Sequence, residues 1–399
     1  MDKFRNIVLV TYDCARADVI WNMKNTTFAS LSDSGCQFRN AISSSPLTPV
    51  SHATIFSGLF PFNHGLRRLF REPLGTEVPT LAETLSDAGF FTAALVSCPG
   101  LVKWYGHSRG FQHYDDWLPP LPDGSDPLSV PDVKLRGLAL KRADQVAERA
   151  KKLIPRLKSH QKWFMFLHFF DAHWPYEPPV VLADQQNPYE GELRYADAHF
   201  EIIVDGLKDA GLFDETLFVI LGDHGEDLAG WYPNDKAGPN NLHPEEEGHG
   251  CCLYQQTQHV PLMFSNSAFE KRKVETPVGL VDVAPTIAAL AGTKLPTPID
   301  GIDLSKTIRS GSQPTSRIMY AETMHPREMH ENTGAFPEIS NSQCIWLNKD
   351  QKVIRWFDRS PEFLKYDLIT DPLEQSPVQA NASDIAMFDW PDQCGGQNE

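Results

Sequence analysis

Short apolar runs alternate with amphipathic segments along most of the chain. Runs rich in β-branched and aromatic residues predict strands, and segments with apolar positions at helical spacing predict helices. The predicted strands are residues 7–12, 91–97, 163–170 and 217–221, and the predicted helices are residues 79–88, 141–153, 195–209 and 283–291. Strands that alternate with helices build a mainly parallel sheet sandwiched by helices. We therefore predict the α/β class.

The regular alternation fades near residue 310. Beyond it, Ile345, Trp346, Trp356 and Phe357 predict a small additional sheet. We expect a catalytic domain over residues 1–310 and a C-terminal α+β subdomain over residues 311–399, packed on the first and ending in a loose tail. Segments rich in proline and polar residues predict two long loops, residues 118–135 and residues 229–250.

Composition excludes several classes of protein. A chain of 399 residues with 41% hydrophobic and 22% charged residues has the composition of a globular protein with a large core. The net charge of −16 argues against a nucleic-acid-binding surface. Every apolar run is shorter than the roughly 20 residues of a membrane span, so none is expected. Seven cysteines without metal-type spacing, and no recognisable secretory signal, predict a cytoplasmic protein.

Polar residues follow three of the predicted strands. Asp13 follows the first, Asp171 and His173 follow the third, and the pair Asp223-His224 follows the fourth. Ligands of parallel sheets bind at the edge where the strands end, so we expect these side chains to lie close together. An aspartate in that position is also a common turn or cap residue. Three carboxylates accompanied by histidines favour a metal site of mixed oxygen and nitrogen ligands.

Hydroxyl side chains cluster at the start of a short predicted helix. The segment 43–58 places Pro46 and Pro49 around Thr48 and ends at Gly58. A helix N-terminus is a natural anion site, because its N–H groups and its positive dipole end face the ligand. A hydroxyl there beside a divalent cation would become nucleophilic. A serine-rich turn with Ser51 as the helix cap is the alternative interpretation of this segment alone.

The run from Thr48 to Pro61 resembles the nucleophile segment of the alkaline phosphatase superfamily. In sulfatases that segment begins with a cysteine or serine that is converted to formylglycine, ten residues before a glycine. In nucleotide pyrophosphatase/phosphodiesterases a threonine occupies that position, and a histidine follows four residues later. Here Thr48 lies ten residues before Gly58, and His52 follows it by four residues.

Other segments agree with this resemblance in the same order. Asp13 matches the first metal-binding aspartate of the superfamily, and residues 222–226 resemble its Asp-His-Gly-Glu element. His249-Gly250 resembles the segment that supplies a further histidine or lysine. Residues 280–286 and 366–374 resemble structural signatures of sulfatases. The resemblance therefore covers nearly the whole chain, from about residue 6 to about residue 375.

The resemblance implies a role for each candidate residue. The implied metal ligands are Asp13, Thr48, Asp223, His224 and Asp171, the implied catalytic residues are Thr48 and His249, and the implied substrate contacts are His173, Arg16 and His52. Ser51 is the alternative nucleophile, and a surface salt bridge is the alternative role for Arg16. The ligand set suits one divalent cation, zinc or manganese rather than calcium or magnesium, and a second site built from Asp171, His173 and His249 stays open.

Two departures from sulfatases affect the predicted chemistry. Cys14 stands where sulfatases usually have a second aspartate, and Thr48 cannot become formylglycine. A plain threonine can form a covalent phospho-enzyme but cannot eliminate sulfate as the formylglycine hydrate does. The sequence thus predicts a metal-dependent hydrolase of small anionic esters, phosphate monoesters or diesters. The alternatives are a sulfuric ester hydrolase without formylglycine and a non-catalytic binding homologue. The sequence leaves the substrate and homo-oligomerisation open.

Overall fold

The computed structural model describes residues 4–129, 141–179, 187–228, 247–334 and 339–392. Parts of both predicted loops, residues 130–135 and residues 229–246, lie outside the described residues, as do the last seven residues of the predicted tail. None of the helices within these ranges is both long enough and apolar enough to cross a lipid bilayer.

The described ranges contain alternating strands and helices. In chain order the strands are β1 (Asn6–Tyr12), β2 (Gly35–Ile42), β3 (Phe91–Leu95), β4 (His113–Asp115), β5 (Trp163–Phe169), β6 (Thr216–Gly222), β7 (Asp227–Leu228), β8 (Glu247–Gly248), β9 (His259–Ser265), β10 (Arg272–Val274), β11 (Val278–Gly279), β12 (Met319–Thr323), β13 (Ser342–Trp346), β14 (Gln351–Trp356), β15 (Phe363–Asp367) and β16 (Val378–Gln379). The helices are α1 (Ala17–Ile20), α2 (Thr27–Ser32), α3 (Thr48–Ser57), α4 (Pro61–His64), α5 (Leu81–Asp87), α6 (Ala143–Lys158), α7 (Pro188–Asp209), α8 (Gln255–Gln258), α9 (Val283–Ala291), α10 (Ser305–Ser310), α11 (His325–Thr333) and α12 (Ala382–Ile385).

The main sheet is mostly parallel, as predicted. Its strands lie in the order β10-β2-β9-β6-β1-β5-β3-β4, and β11 also pairs with β2. Strand β1 lies between β5 and β6 and runs parallel to both. Only β9, among the described strands of this sheet, runs antiparallel to its neighbours β2 and β6. Tyr12 pairs with Phe169 on one side and Gly222 on the other, so three central strands end at the same level.

Helices cover both faces of this sheet. Ile7 and Leu9 of β1 pack into a core that includes apolar residues of α3, α5 and α9. Val8 and Val10 point to the opposite face and pack with apolar residues of α6 and α7. Because successive side chains of a strand point to opposite faces, a strand buried on both sides is apolar at nearly every position. This double burial explains the continuous apolar runs in the sequence.

The predicted elements are present, with shifted ends. Helix α9 has the predicted bounds, whereas α7 begins at Pro188, several residues before the predicted start. Strands β2 and β9 were not predicted. Strand β2 carries Gln37, Arg39 and Asn40 and has an irregular register between Phe38 and Ala41. Strand β9 contains proline, which has no N–H to donate to a neighbouring strand and so argues against a central strand.

The C-terminal residues form the small sheet that the sequence predicts. Strands β12 to β16 pair in sequence order, each antiparallel to the next. Trp346, Trp356 and Tyr366 pack in a buried cluster with Tyr254 of the segment that follows His249. A buried ion pair between Lys352 and Glu374 lies beside this cluster. The division of the chain near residue 310 stays a prediction.

Candidate active site

Two of the three predicted strand-end carboxylates meet at the centre of the main sheet. Asp13 follows β1 and Asp223 follows β6, and both side chains are fully buried. The N–H of Asp13 donates to the carbonyl of Phe169 over 2.8 Å, which extends the parallel register past the end of β1. His224 follows Asp223 directly and brings its imidazole into the same cluster, with Nε2 3.9 Å from Asp13 Oδ1.

Thr48 is the first residue of helix α3, as the hydroxyl-rich segment predicts. Its Oγ1 lies 3.2 Å from Asp13 Oδ2 and 3.2 Å from His224 Nε2. The helix ends at Gly58, whose φ of 71° is the left-handed conformation that ends helices. A Cβ at Gly58 would lie 3.3 Å from both Leu295 and Pro285, so the turn is also closely packed. The start of α3 is thereby fixed against the strand ends.

The ligand atoms of Asp13, Asp223 and His224 fit a divalent cation. They all lie within 4.8 Å of one another. Asp223 Oδ2 is buried, has no hydrogen-bond partner among the described residues, and lies 3.6 Å from His224 Nε2. Burial, together with the nearby charge of Asp13, raises the pKa of Asp223 well above its usual range. A cation at this position would satisfy the unpaired oxygen and offset the repulsion between the two carboxylates.

Backbone contacts orient these ligands. Asp223 Oδ1 accepts from the N–H of Cys14 over 3.2 Å and from that of His224 over 2.9 Å, which leaves Oδ2 for a cation. His224 Nδ1 donates to the carbonyl of Gly225 over 2.9 Å, so Nε2 is the nitrogen that faces the cluster. Gly225 cannot be replaced without movement, because a Cβ there would lie 1.9 Å from the carbonyl oxygen of Gln256. Outer contacts of this kind fix the direction of metal ligands.

His168 holds Asp13 from the other side and had no assigned role in the sequence. Its Nε2 donates to Asp13 Oδ2 over 3.0 Å, and its Nδ1 lies 2.8 Å from Ser97 Oγ. Burial by itself raises the pKa of Asp13, but the hydrogen bond from His168 and the nearby His224 outweigh it and hold this pKa below its usual range. The sequence could have pointed to His168, because it is a polar residue near the end of an apolar strand. A buried polar side chain has to find a hydrogen-bond partner.

His52 lies behind the site, where both ring nitrogens have protein partners. Its Nδ1 donates to the carbonyl of Thr48 over 2.8 Å, and its Nε2 accepts from the hydroxyl of Thr11 over 3.1 Å. Both nitrogens are therefore used within the protein, and burial lowers the pKa of His52 well below its usual value. His52 thus packs under the first turn of α3, and its predicted contact with a substrate stays a prediction. Ser51, the alternative nucleophile, is also buried and donates to the carbonyl of Asp223 over 2.7 Å.

Two further histidines stand beside the cluster, as predicted. The ring of His249 lies 4.3 Å from that of His224 and 4.9 Å from that of His173. His249 Nδ1 lies 2.9 Å from a carboxylate oxygen of Glu226, which is fully buried. Burial raises the pKa of Glu226 to about 7 and lowers that of His173 to about 4. Glu226 had no assigned role, although it stands only three residues after Asp223.

Asp171 and Arg16 are both held by protein groups, and their predicted roles as a metal ligand and a substrate contact stay predictions. Asp171 Oδ1 accepts from the N–H of Ala143, at the start of α6, over 3.1 Å and forms an ion pair with Arg142. Asp171 therefore accepts a hydrogen bond from the N-terminus of helix α6. Arg16 is 2% exposed and binds Asp18 through two nitrogens, at 3.0 and 2.8 Å. The Asp18 end of this ion pair is half exposed, and Arg16 Nη1 also donates to the carbonyl of Glu226 over 3.3 Å.

Comparisons with known proteins show the family and the fold of the chain. The Sulfatase family model matches residues 5–293. Arylsulfatase G of Rattus norvegicus is 24% identical over 423 residues, which cover 86% of this chain and 74% of the rat protein. The ulvan-active sulfatase of Formosa agariphila is also 24% identical, covering 89% of this chain and 72% of its own. The phosphonate monoester hydrolase of Agrobacterium radiobacter has the same fold, with a TM-score of 0.72 at 19% identity, covering 96% of this chain and 93% of its own. The chain belongs to the sulfatase family of hydrolases, within the alkaline phosphatase superfamily.

Proposed function

We propose that this chain is a metal-dependent hydrolase of small anionic esters that uses Thr48 as its nucleophile and prefers phosphate or phosphonate esters. The observation that carries the proposal is the position of the Thr48 hydroxyl, 3.2 Å from both Asp13 Oδ2 and His224 Nε2. This hydroxyl stands at the edge of the group of ligand atoms that fits a cation. A nucleophile of this kind has to lie beside the groups that lower its pKa.

The reaction has two chemical steps on the same oxygen. A divalent cation held by Asp13, Asp223 and His224 would lower the pKa of the hydroxyl and offset developing negative charge. Thr48 Oγ1 releases its proton to solvent and forms a bond to the phosphorus centre of the ester, and the bond from phosphorus to the leaving oxygen breaks as that oxygen takes a proton from His249. Water then attacks the phosphorus, the bond to Oγ1 breaks, and the hydroxyl takes back a proton.

Helix α3 contributes to anion binding at the same place. It begins without a side-chain cap at Leu47, and Pro49 has no N–H to satisfy. The N–H groups of Thr48 and Val50 have no protein acceptor among the described residues. Free N–H groups and the positive end of a ten-residue helix therefore face the position of the substrate anion.

His249 is the group best placed to protonate the leaving oxygen. Its Nδ1 is engaged by Glu226 at 2.9 Å, which orients the ring and leaves Nε2 to the substrate side. Burial and the nearby His224 hold the pKa of His249 well below its usual value, so the acid role depends on the substrate anion to favour the protonated ring. The ring of His173 lies beside that of His249, and its Nδ1 donates to the carbonyl of Trp174 over 2.6 Å. From this position His173 would contact the substrate anion.

Sulfate-ester hydrolysis is the second candidate, and membership of the sulfatase family favours it. Rat arylsulfatase G and the ulvan-active sulfatase carry sulfatase names, whereas a solved relative of the same fold is a phosphonate monoester hydrolase. In our proposal, the residue at position 48 favours hydrolysis of phosphorus esters over hydrolysis of sulfate esters. A threonine side chain carries a methyl group on Cβ and cannot form an aldehyde hydrate, so the route by which formylglycine releases sulfate is closed to it.

The test compares aryl phosphate monoesters, diesters, phosphonates and sulfates with wild type, Thr48→Val, Thr48→Ser and Ser51→Ala. Thr48→Val keeps the shape of the side chain and should lose at least about 10³-fold in kcat on the best substrate. Thr48→Ser should retain measurable turnover. Ser51→Ala is the matched control, because Ser43 still donates to the carbonyl of Asp223 over 2.5 Å.

Each outcome separates the candidates. Full activity in Thr48→Val would remove Thr48 as the nucleophile, and loss of activity only in Ser51→Ala would transfer that role to Ser51. A higher kcat/KM for the sulfate than for every phosphorus ester would favour the second candidate. A protein that binds metal but hydrolyses none of these esters would be a non-catalytic binding homologue.

A further inference from the structure

Cys14 has an unusual backbone conformation beside the cluster. It follows Asp13, is fully buried, and has a φ of 60°, which is left-handed. Its N–H donates to Asp223 Oδ1 over 3.2 Å, and its carbonyl accepts from the Tyr189 hydroxyl over 2.5 Å. A left-handed residue other than glycine costs roughly 1–2 kcal/mol, so these contacts hold the residue against its preference. Their effect is to turn the sulfur toward Asp13.

The sulfur of Cys14 lies beside two ligands of the candidate cation site, Asp13 and His224. Sγ is 2.9 Å from Asp13 Oδ1 and 3.5 Å from His249 Nδ1. The ligand atoms of Cys14, His224 and His249 all lie within 4.8 Å of one another. With bonds of about 2.0–2.3 Å to a tetrahedral zinc ion, neighbouring ligand atoms stand roughly 3.4–3.8 Å apart. The 3.5 Å from Sγ to His249 Nδ1 falls in this range. The 2.9 Å from Sγ to Asp13 Oδ1 is the distance of an S–H···O hydrogen bond, so these two atoms would move apart by about 0.6 Å when both bind a cation.

Unsatisfied oxygens provide an independent indication of a cation on this side. Asp223 Oδ2 and Glu226 Oε2 belong to fully buried side chains, and neither has a hydrogen-bond partner within the described ranges. Cys14 is linked to Asp223 through its N–H, and Glu226 is linked to His249 over 2.9 Å. Unpaired buried carboxylate oxygens on both flanks of a sulfur favour a positively charged ligand between them.

We propose that the Cys14 sulfur is itself a ligand of the active-site cation, and that the centre takes a thiophilic transition metal of the zinc class. Thiolate ligands select such metals over calcium and magnesium, which prefer oxygen. On binding, the S–H bond breaks, the proton passes to solvent, and the sulfur lone pair forms the bond to the metal, with no change of oxidation state. The inference depends on the cation centre of the proposed function, but it does not depend on which ester is hydrolysed.

The direct test is the absorption spectrum of the full-length protein after chelation and reloading with Co²⁺. A cobalt–thiolate bond gives a charge-transfer band in the near ultraviolet that oxygen and nitrogen ligands do not give. Wild type should show the band, and Cys14→Ser should lose it while keeping the weaker visible bands of bound Co²⁺. Cys98→Ser is the matched control, because Cys98 is also buried and its sulfur lies within 4.8 Å of ligand atoms of Asp13 and His168.

If wild type lacks the band, the proposal is wrong. This outcome needs no variant, so it does not depend on whether Cys14→Ser folds. A band that survives in Cys14→Ser and disappears in Cys98→Ser overturns it as well. As a second measurement, competition between Zn²⁺ and Mg²⁺ should show that Cys14→Ser weakens zinc binding by about 10- to 100-fold relative to magnesium binding. Equal losses for both ions would contradict a sulfur bond. Since these readouts use metal binding alone, they stay informative if no ester is hydrolysed.

Discussion

Replacing His168 by phenylalanine should weaken cation binding without removing any proposed ligand. His168 Nε2 donates to Asp13 Oδ2 over 3.0 Å in a fully buried setting. Phenylalanine keeps the ring volume and removes this donor, while Ser97 still donates to the carbonyl of residue 168 over 2.6 Å. The bond is also present without metal, so only its effect on the orientation and charge of Asp13 changes the affinity. Loss of an outer contact of this kind weakens metal binding by about 10- to 100-fold, and we expect a loss of Zn²⁺ affinity of about this size.

The assay is competition for Zn²⁺ with a chromophoric chelator at neutral pH, together with chemical denaturation of the metal-free proteins. Thr11→Val is the matched control, since Thr11 is buried on β1, two residues before Asp13, and donates to His52 over 3.1 Å. His168→Gln, which retains an N–H donor, should recover part of the affinity. Zinc affinity of His168→Phe equal to that of Thr11→Val would refute the reasoning, whatever the change in the free energy of unfolding.

Two further predictions concern stability. Burial lowers the pKa of His64 to about 3, and its Nδ1 accepts from the N–H of Leu66 over 3.2 Å, so the ring stays neutral. A depressed histidine pKa stabilises the fold above about pH 6.5 and loses this effect as the pH falls, so wild type should lose about 1.5–2 kcal/mol relative to His64→Gln between about pH 6.5 and 5. A difference in unfolding free energy that does not vary over this window would contradict the assignment. Lys352→Met should cost about 3–5 kcal/mol in urea denaturation, because it leaves the buried carboxylate of Glu374 unpaired. The double variant Lys352→Met/Glu374→Gln should be more stable than Lys352→Met, and strictly additive effects would exclude a coupled pair.

The main sheet was predictable where burial on both faces made strands continuously apolar. Strand β1 carries such a run, and so do β5 and β6. Strands β2 and β9 escaped prediction, because the polar residues of β2 and the proline of β9 weaken the local pattern. Their places in the sheet come from pairing with each other and with β6, which are contacts between distant parts of the chain.

The candidate site was predictable for a similar reason. Asp13, Asp223 and His224 follow apolar strands, and parallel strands bring their ends to one edge of a sheet. Thr48 was predictable from the helix start and from the resemblance to a known nucleophile segment. Asp171 obeyed the same strand-end rule, yet its carboxylate accepts from the N-terminus of α6 and pairs with Arg142. The end of a strand fixes where the backbone of a residue lies, but it does not fix which neighbouring group binds the side chain.

The sequence by itself therefore determined the α/β class, the family and the position of the cluster at the strand ends, because these follow from local periodicity and from motifs within single segments. Tertiary structure alone decided which buried polar atoms meet. It placed His52 and His168 behind the cluster as supports, linked Glu226 to His249, and turned the sulfur of Cys14 toward Asp13. The contact of His168 with Asp13 joins residues 155 positions apart, and that of Cys14 with His249 joins residues 235 apart, so no local pattern specifies them. They are fixed only when a buried donor or acceptor has to find its partner within the folded core.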